Sequence, residues 1–226
     1  MNGLATKDKI RELEERFGIE TTPVTVRGKT LQIAQVRDIK RLVEKQFSQD
    51  DPLAGFPFWA RVWEASIILA DELAPLEPDD GKEMLELGAG IGLSGLFAAA
   101  FGHKVTITDY DQDALCFAML SAGSNGLDKV RFQTLDWCAP ALYKKYHYII
   151  GSEVLFNEKL LLPLHELIQN ALAPDGIVFL AHDKSRMSPC RFFELAQKDF
   201  KIECRARVMR ADDEEFHIVL HRLTRK

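Results

Sequence analysis

The sequence predicts an α/β fold: a seven-stranded, mostly parallel sheet flanked by helices, with an N-terminal helix and hairpin ahead of it. Three observations carry this. From residue 83 onward, short apolar and β-branched runs alternate with segments of helical spacing, the pattern of right-handed crossovers between parallel strands. A glycine-rich turn, Gly88-Ala89-Gly90-Ile91-Gly92, directly follows the first of those runs. The last two runs are separated only by the acidic stretch 212–215. That is too short for a crossover, so they pair antiparallel and give the sheet a mixed edge.

Taken in order, residues 7–17 (KDKIRELEERF) form a charged amphipathic helix that Gly18 ends. Residues 22–36 alternate around Arg27-Gly28-Lys29, the pattern of a hairpin. A short helix is expected over 38–47, then a loop where Asp50-Asp51-Pro52 and Gly55-Phe56-Pro57 interrupt the chain. Residues 59–73 (WARVWEASIILADEL) keep helical spacing, and Pro75, Pro78 and Gly81 break the chain after them. Strands are expected at 83–87, 104–108, 130–135, 146–150, 177–181, 201–209 and 216–223. Helices are expected at 93–101, 111–124, 159–172 and 189–200. Residues 1–57 read as an N-terminal extension, a cap or a substrate-recognition surface, and residues 58–226 as the core domain.

Composition narrows the function classes. Of 226 residues, 46% are hydrophobic and 28% charged, an ordinary globular balance. The formal net charge of -5 and the lack of a long basic stripe argue against a nucleic-acid backbone as the partner. No apolar run reaches the roughly 18 residues of a membrane span. Cys116, Cys138, Cys190 and Cys204 show neither C-x-x-C nor zinc spacing, and read as small core hydrophobes in a reducing compartment. The first eighteen residues are charged and helical in pattern, unlike a signal peptide. A cytoplasmic monomer is expected, with no metal.

The glycine turn admits three readings. A phosphate loop needs a Lys and a following hydroxyl, which are missing. A dinucleotide turn, G-x-G-x-x-G, fits Gly88 and Gly90 but meets Leu93 at the third glycine. The third pattern, E-x-G-x-G-x-G, fits Glu86, Gly88, Gly90 and Gly92. A carboxylate at that strand end would repel a pyrophosphate and suit a ligand that is cationic there, such as S-adenosylmethionine. Asp109, at the end of the second strand, suits ribose hydroxyls in either of the last two readings. Asp136 and Trp137 follow the third strand and suit an adenine, the carboxylate facing its amine and the ring its face.

These residues resemble a known class. LELGAGIGLSGLFAAAFGHKVTITDYD, with LDW at 135–137, is similar to the class I S-adenosylmethionine-dependent methyltransferases. FWARVWEASIIL at 58–69 narrows the resemblance to the methyltransferase 16 family, mainly protein-lysine methyltransferases with a Rossmann-like seven-stranded core. The resemblance implies S-adenosylmethionine as cofactor and a protein as substrate. It implies that Trp63 packs against the cofactor, and that Glu86, Gly88, Ala89 and Gly90 hold its methionine end. Asp109 and Tyr110 would hold the ribose, Asp136 and Trp137 the adenine, and Ser152 the pocket floor.

The family's fourth-strand motif, an acid, two apolar residues and Tyr, reads here Glu153-Val154-Leu155-Phe156. The resemblance makes Glu153 and Phe156 the catalytic pair. Glu153 would orient the acceptor amine, while Phe156 lacks the family's hydroxyl and would only border it. Trp59 is open between a structural and a substrate-side role. His182 and Asp183, after the fifth strand, read as a solvated loop. Two alternatives stand beside lysine methylation: a small-molecule methyltransferase on the same fold, and a non-catalytic binding module.

Overall fold

The computed structural model describes residues 7–39, 57–186, 188–211 and 214–226. The chain opens with α1 (Lys7–Phe17) and a hairpin, β1 (Ile19–Val26) and β2 (Lys29–Val36). The hairpin starts at Ile19 rather than at residue 22, because Ile19 already pairs with Val36. The helix expected over 38–47 lies almost entirely outside the described residues, as do positions 50–56 of the expected loop.

The core strands are β3 (Glu83–Glu86), β4 (Lys104–Asp109), β5 (Arg131–Thr134), β6 (Tyr146–Ser152), β7 (Leu172–Asp183), β8 (Phe200–Ala211) and β9 (Glu214–Arg225). They form one sheet in the order β5-β4-β3-β6-β7-β9-β8. The pairs from β5 through to β7 are parallel. β9 runs antiparallel to both of its neighbours, which is the expected mixed edge. The chain moves outward from β3 through β4 to β5, then returns to the other side of β3 with β6. β3 therefore sits where strand order reverses, and ligands bind beyond the carboxyl ends of strands at such a point.

Both faces of the central strands are apolar because helices cover both. Met84, Ile107, Ile150 and Phe179 face one cluster, built with α2 (Glu64–Leu73), α3 (Leu93–Ala100) and α4 (Gln112–Ser124). Leu85, Ile149, Val178 and Leu180 face the other, built with α5 (Leu161–Ala171) and α6 (Ser188–Ala196). Leu13, Ile33 and Val36 of the N-terminal segment are buried in the first cluster. The described part of that segment thus shares the core's interior. It docks on α4: Asn125 bonds the backbone of Gln32 in both directions at 2.8 Å, and Ser121 Oγ accepts the buried Ala34 N–H at 2.8 Å. Lys9 and Arg16 of α1 both pair with Asp113 in the first turn of α4.

Three expectations change. Residues 59–73 are not one helix. A 3-10 turn spans Phe58–Ala60, Arg61 is extended, and α2 starts only at Glu64 with Trp63 as its N-cap. The Trp63 indole N–H donates to Phe58 O at 2.7 Å and folds the segment back on itself. The cysteines are not core residues: Cys138, Cys190 and Cys204 are exposed and Cys116 only half-buried. Cys204 lies on edge strand β8 and Cys190 in the first turn of α6, where no layer covers them. His182 belongs to β7 and is buried rather than solvated. No helix among the described residues is long and apolar enough to cross a membrane.

Candidate functional site

A cavity of about 530 Å³ opens at the carboxyl ends of β3, β4, β5 and β6, within the size range of small-molecule sites. Four strand ends supply one wall: Gly88–Gly90, Asp109 and Tyr110, Asp136 and Trp137, and Ser152 and Glu153. The 3-10 segment supplies the other with Phe58, Arg61 and Trp63, and Arg186 reaches in from the loop after β7.

The glycine turn is built to be thin. Gly88 and Gly90 both have φ near +55°, a left-handed conformation that side chains disfavour. A Cβ on Gly88 would stand 3.0 Å from Val154 and 3.1 Å from Trp137. Ala89 N–H donates to Thr108 O and ties the turn to β4. Asp109 locks it further. Its Oδ2 accepts the Gly90 N–H at 2.7 Å and its Oδ1 the Asp111 N–H at 2.9 Å. Burial raises the Asp109 pKa, against these two backbone donors. The remaining lone pairs can still accept hydroxyls.

Of the residues singled out in the sequence, Trp63, Gly88, Ala89, Gly90, Asp109, Tyr110, Asp136, Trp137, Ser152, Glu153 and Phe156 line this one cavity. Tyr110 is 74% exposed, so it stands at the rim. Asp136 is exposed, and its Oδ1 accepts the Cys138 N–H at 2.8 Å.

Glu86 is not brought to the wall. Its carboxyl is 1% exposed and sits under α3, where a Cβ on Gly95 would lie 2.3 Å from Oε2. Burial pushes its pKa up to about 8, against the pull of the Gly95 N–H and the Ser94 hydroxyl. An acid held largely neutral at pH 7 exerts little of the field that the sequence reading assigned to it.

Glu153 closes the cavity at the end of β6. It is not glycine, yet its φ is +55°, a strained conformation of the kind that collects at functional sites. Its N–H donates to Ala181 O at 2.8 Å, and its Oε1 accepts the Asp183 N–H at 2.7 Å. Oε2 forms an ion pair with Arg186 Nε. Phe156, 44% exposed, lies 5.6 Å from the Phe58 ring. Two guanidinium groups gather on the Trp63 indole, Arg61 at 4.3 Å and Arg186 at 5.8 Å from its centre. Arg61 Nη2 also donates to both carboxylate oxygens of Glu64, at 3.0 and 3.2 Å.

Sequence reasoning missed Arg61 and Arg186. Arg61 lies inside the aromatic segment that carried the resemblance, but charge alone marks no arginine as a cavity residue. Arg186 meets Glu153 only through the pairing of β6 with β7. Trp59 both lines the cavity and packs against Phe17 and Phe117.

The pattern of the family described as lysine methyltransferase, methyltransferase 16, matches residues 57–199. The chain is 34% identical over 130 residues to the protein N-lysine methyltransferase METTL21A of Danio rerio, covering 54% of this chain and 59% of that one. It is 29% identical over 146 residues to the histidine protein methyltransferase 1 homolog of Dictyostelium discoideum, covering 61% and 47%. The match thus spans about half the length of these curated relatives. Among solved structures, the SAM dependent methyltransferase from Agrobacterium tumefaciens superposes with a TM-score of 0.62 at 19% identity, covering 92% of this chain and 71% of that one.

Proposed function

The chain belongs to the methyltransferase 16 family, and on that premise we propose that it binds S-adenosylmethionine around Gly88–Gly90 and methylates a lysine side chain of a protein. The observation that carries this reading is convergence. An acid suited to ribose hydroxyls (Asp109), two indoles (Trp63, Trp137) and a strained carboxylate (Glu153) share one cavity. The residues fit the cofactor. Asp109 has acceptor capacity left, Trp137 offers a flat face beside the thin Gly88 turn, and the volume suffices. The basic residues lining the cavity, Arg61 and Arg186, are both paired with carboxylates and cluster on Trp63.

When bound, the cofactor would supply a methyl group activated by a sulfonium, held on its donor side by Asp109 and the Gly88–Gly90 turn. What remains for the chain is positioning. Glu153 receives the acceptor's N–H in a charge-assisted hydrogen bond. Phe156 and Phe58 form an apolar flank beside the amine that favours its neutral, attacking form, the ammonium proton passing by way of Glu153 to water. Asp109 and the glycine turn hold the donor side fixed.

Glu153→Ala is expected to keep S-adenosylmethionine binding within a few-fold by calorimetry and to lose transfer of a tritiated methyl group by at least 100-fold. Retained turnover in that variant removes Glu153 from the mechanism. A histidine imidazole is the second reading for the acceptor. The Glu153–Arg186 pair favours it, since an uncharged acceptor has less need of a free carboxylate.

A further inference from the structure

A carboxylate beside an aromatic ring is the usual recognition set for a cation. Glu153 and Trp63 offer such a set from the two walls of the cavity, and the chain supplies the cation itself. The Arg186 guanidinium pairs with Glu153 Oε2 and stands 5.8 Å from the centre of the Trp63 indole. The other carboxylate oxygen already receives the Asp183 N–H. The Glu153 side chain is only 9% exposed, so few directions of approach remain open to an incoming amine.

The loop that carries Arg186 is braced by its own hydrogen bonds. Arg186 N–H donates to Asp183 O at 3.2 Å, and Ser185 bonds Asp183 Oδ1 through both its N–H and its hydroxyl. Beyond the ion pair and the indole, the Arg186 side chain is 29% exposed. A long arginine stem on a fixed turn can swing toward solvent without unfolding strand or helix.

We propose that Arg186 is a specificity-determining residue that holds the acceptor cation's place on Glu153, and that an acceptor must displace it to reach the methyl group. This rests on the reading above, in which Glu153 orients the acceptor. The consequence is selection by competition. A free alkylamine brings one weak contact and loses to a guanidinium tethered at high effective concentration. A lysine on a folded protein brings additional surface contacts and can win. Arg186 therefore excludes small amines from a site whose chemistry would otherwise accept them.

The test needs neither cofactor nor turnover. n-Butylammonium, a free lysine side-chain mimic, is titrated into the wild type, Arg186→Ala, Arg186→Lys and Arg186→Ala with Glu153→Gln, with binding read by calorimetry and indole fluorescence. Arg186→Ala is expected to bind the probe at least tenfold more tightly than the wild type. Arg186→Lys should restore the exclusion, because an ammonium can hold the same carboxylate. The double variant should lose the gain. Equal affinity in wild type and Arg186→Ala overturns the proposal, as does a gain that survives Glu153→Gln. If instead the chain fails to bind S-adenosylmethionine, the functional reading falls while this comparison still stands or fails on its own data.

Discussion

Asp109 Oδ2 accepts the Gly90 N–H at 2.7 Å, so the acid of one strand end fixes the turn of the next. Asp109→Asn keeps the shape but can present an NH2 group to the Gly90 or Asp111 N–H. A backbone donor left without its acceptor costs about 1–3 kcal/mol. The variant is expected to lose that much stability in urea denaturation and to bind S-adenosylmethionine at least tenfold more weakly. Unchanged affinity would take Asp109 out of the proposed cofactor site.

Glu86 makes stability fall with rising pH. Its folded pKa, about 8, is raised above the ordinary 4.5 by burial, so the folded state holds a proton that the unfolded state releases. The contribution is complete below pH 4.5 and is lost as pH climbs through 8. At about 1.4 kcal/mol per pH unit, roughly 3–5 kcal/mol is at stake. Glu86→Gln cannot titrate, and its melting temperature should decline less than the wild type's between pH 5 and 8.5. Parallel pH profiles would contradict a buried neutral acid.

His221 produces the opposite slope. It stacks on Phe193 at 3.8 Å and meets His182 Nε2 to Nε2 at 3.0 Å. Burial, and then the charge of His182, lower its pKa to about 4. The unfolded state therefore takes up a proton that the folded state refuses. This contribution is present above pH 6.5 and is lost as pH falls toward 4, on the order of 3 kcal/mol. His221→Gln should flatten the acid side of the stability profile; an unaltered acid limb would assign it to other groups.

Gly95 marks the closest approach of α3 to the sheet. A Cβ there would lie 2.3 Å from Glu86 Oε2 and 2.8 Å from Ile107 Cγ1. Gly95→Ala gains helix propensity yet overpacks a rigid layer, and the overpacking outweighs it at about 1–3 kcal/mol. The midpoint of denaturation should drop accordingly. A stabilised variant would show that α3 can lift off β3.

The strands and helices were legible because each depends on local periodicity that its neighbours reinforce. β4 alternates Val105, Thr106, Ile107 and Thr108 beneath α3 and α4, and Asp111 caps α4 through the N–H groups of Asp113 and Ala114. The 59–73 segment misled because its apolar spacing suits a helix, whereas the Trp63 indole bond to Phe58 O turns the first half into cavity wall. β7 starts early for a similar reason: Pro174-Asp175-Gly176 bulges between the pairs Tyr146–Leu172 and Tyr148–Ile177. Within the site, residues directly after strands were legible, since strand ends point at the cavity. Glu86 was misplaced because its motif position says nothing of which way the side chain turns. Arg186 was invisible, being joined to Glu153 only by strand pairing.

Methyl transfer from S-adenosylmethionine to a protein lysine in this cavity is the proposed activity. The most direct measurement incubates the protein with S-adenosylmethionine tritiated at the methyl group and a source-cell lysate, hydrolyses the labelled protein fraction and separates its amino acids. Tritium is expected in methyl-lysine, abolished by Glu153→Ala. Label confined to small solutes, label in methyl-histidine, or no label above the Glu153→Ala control would contradict it.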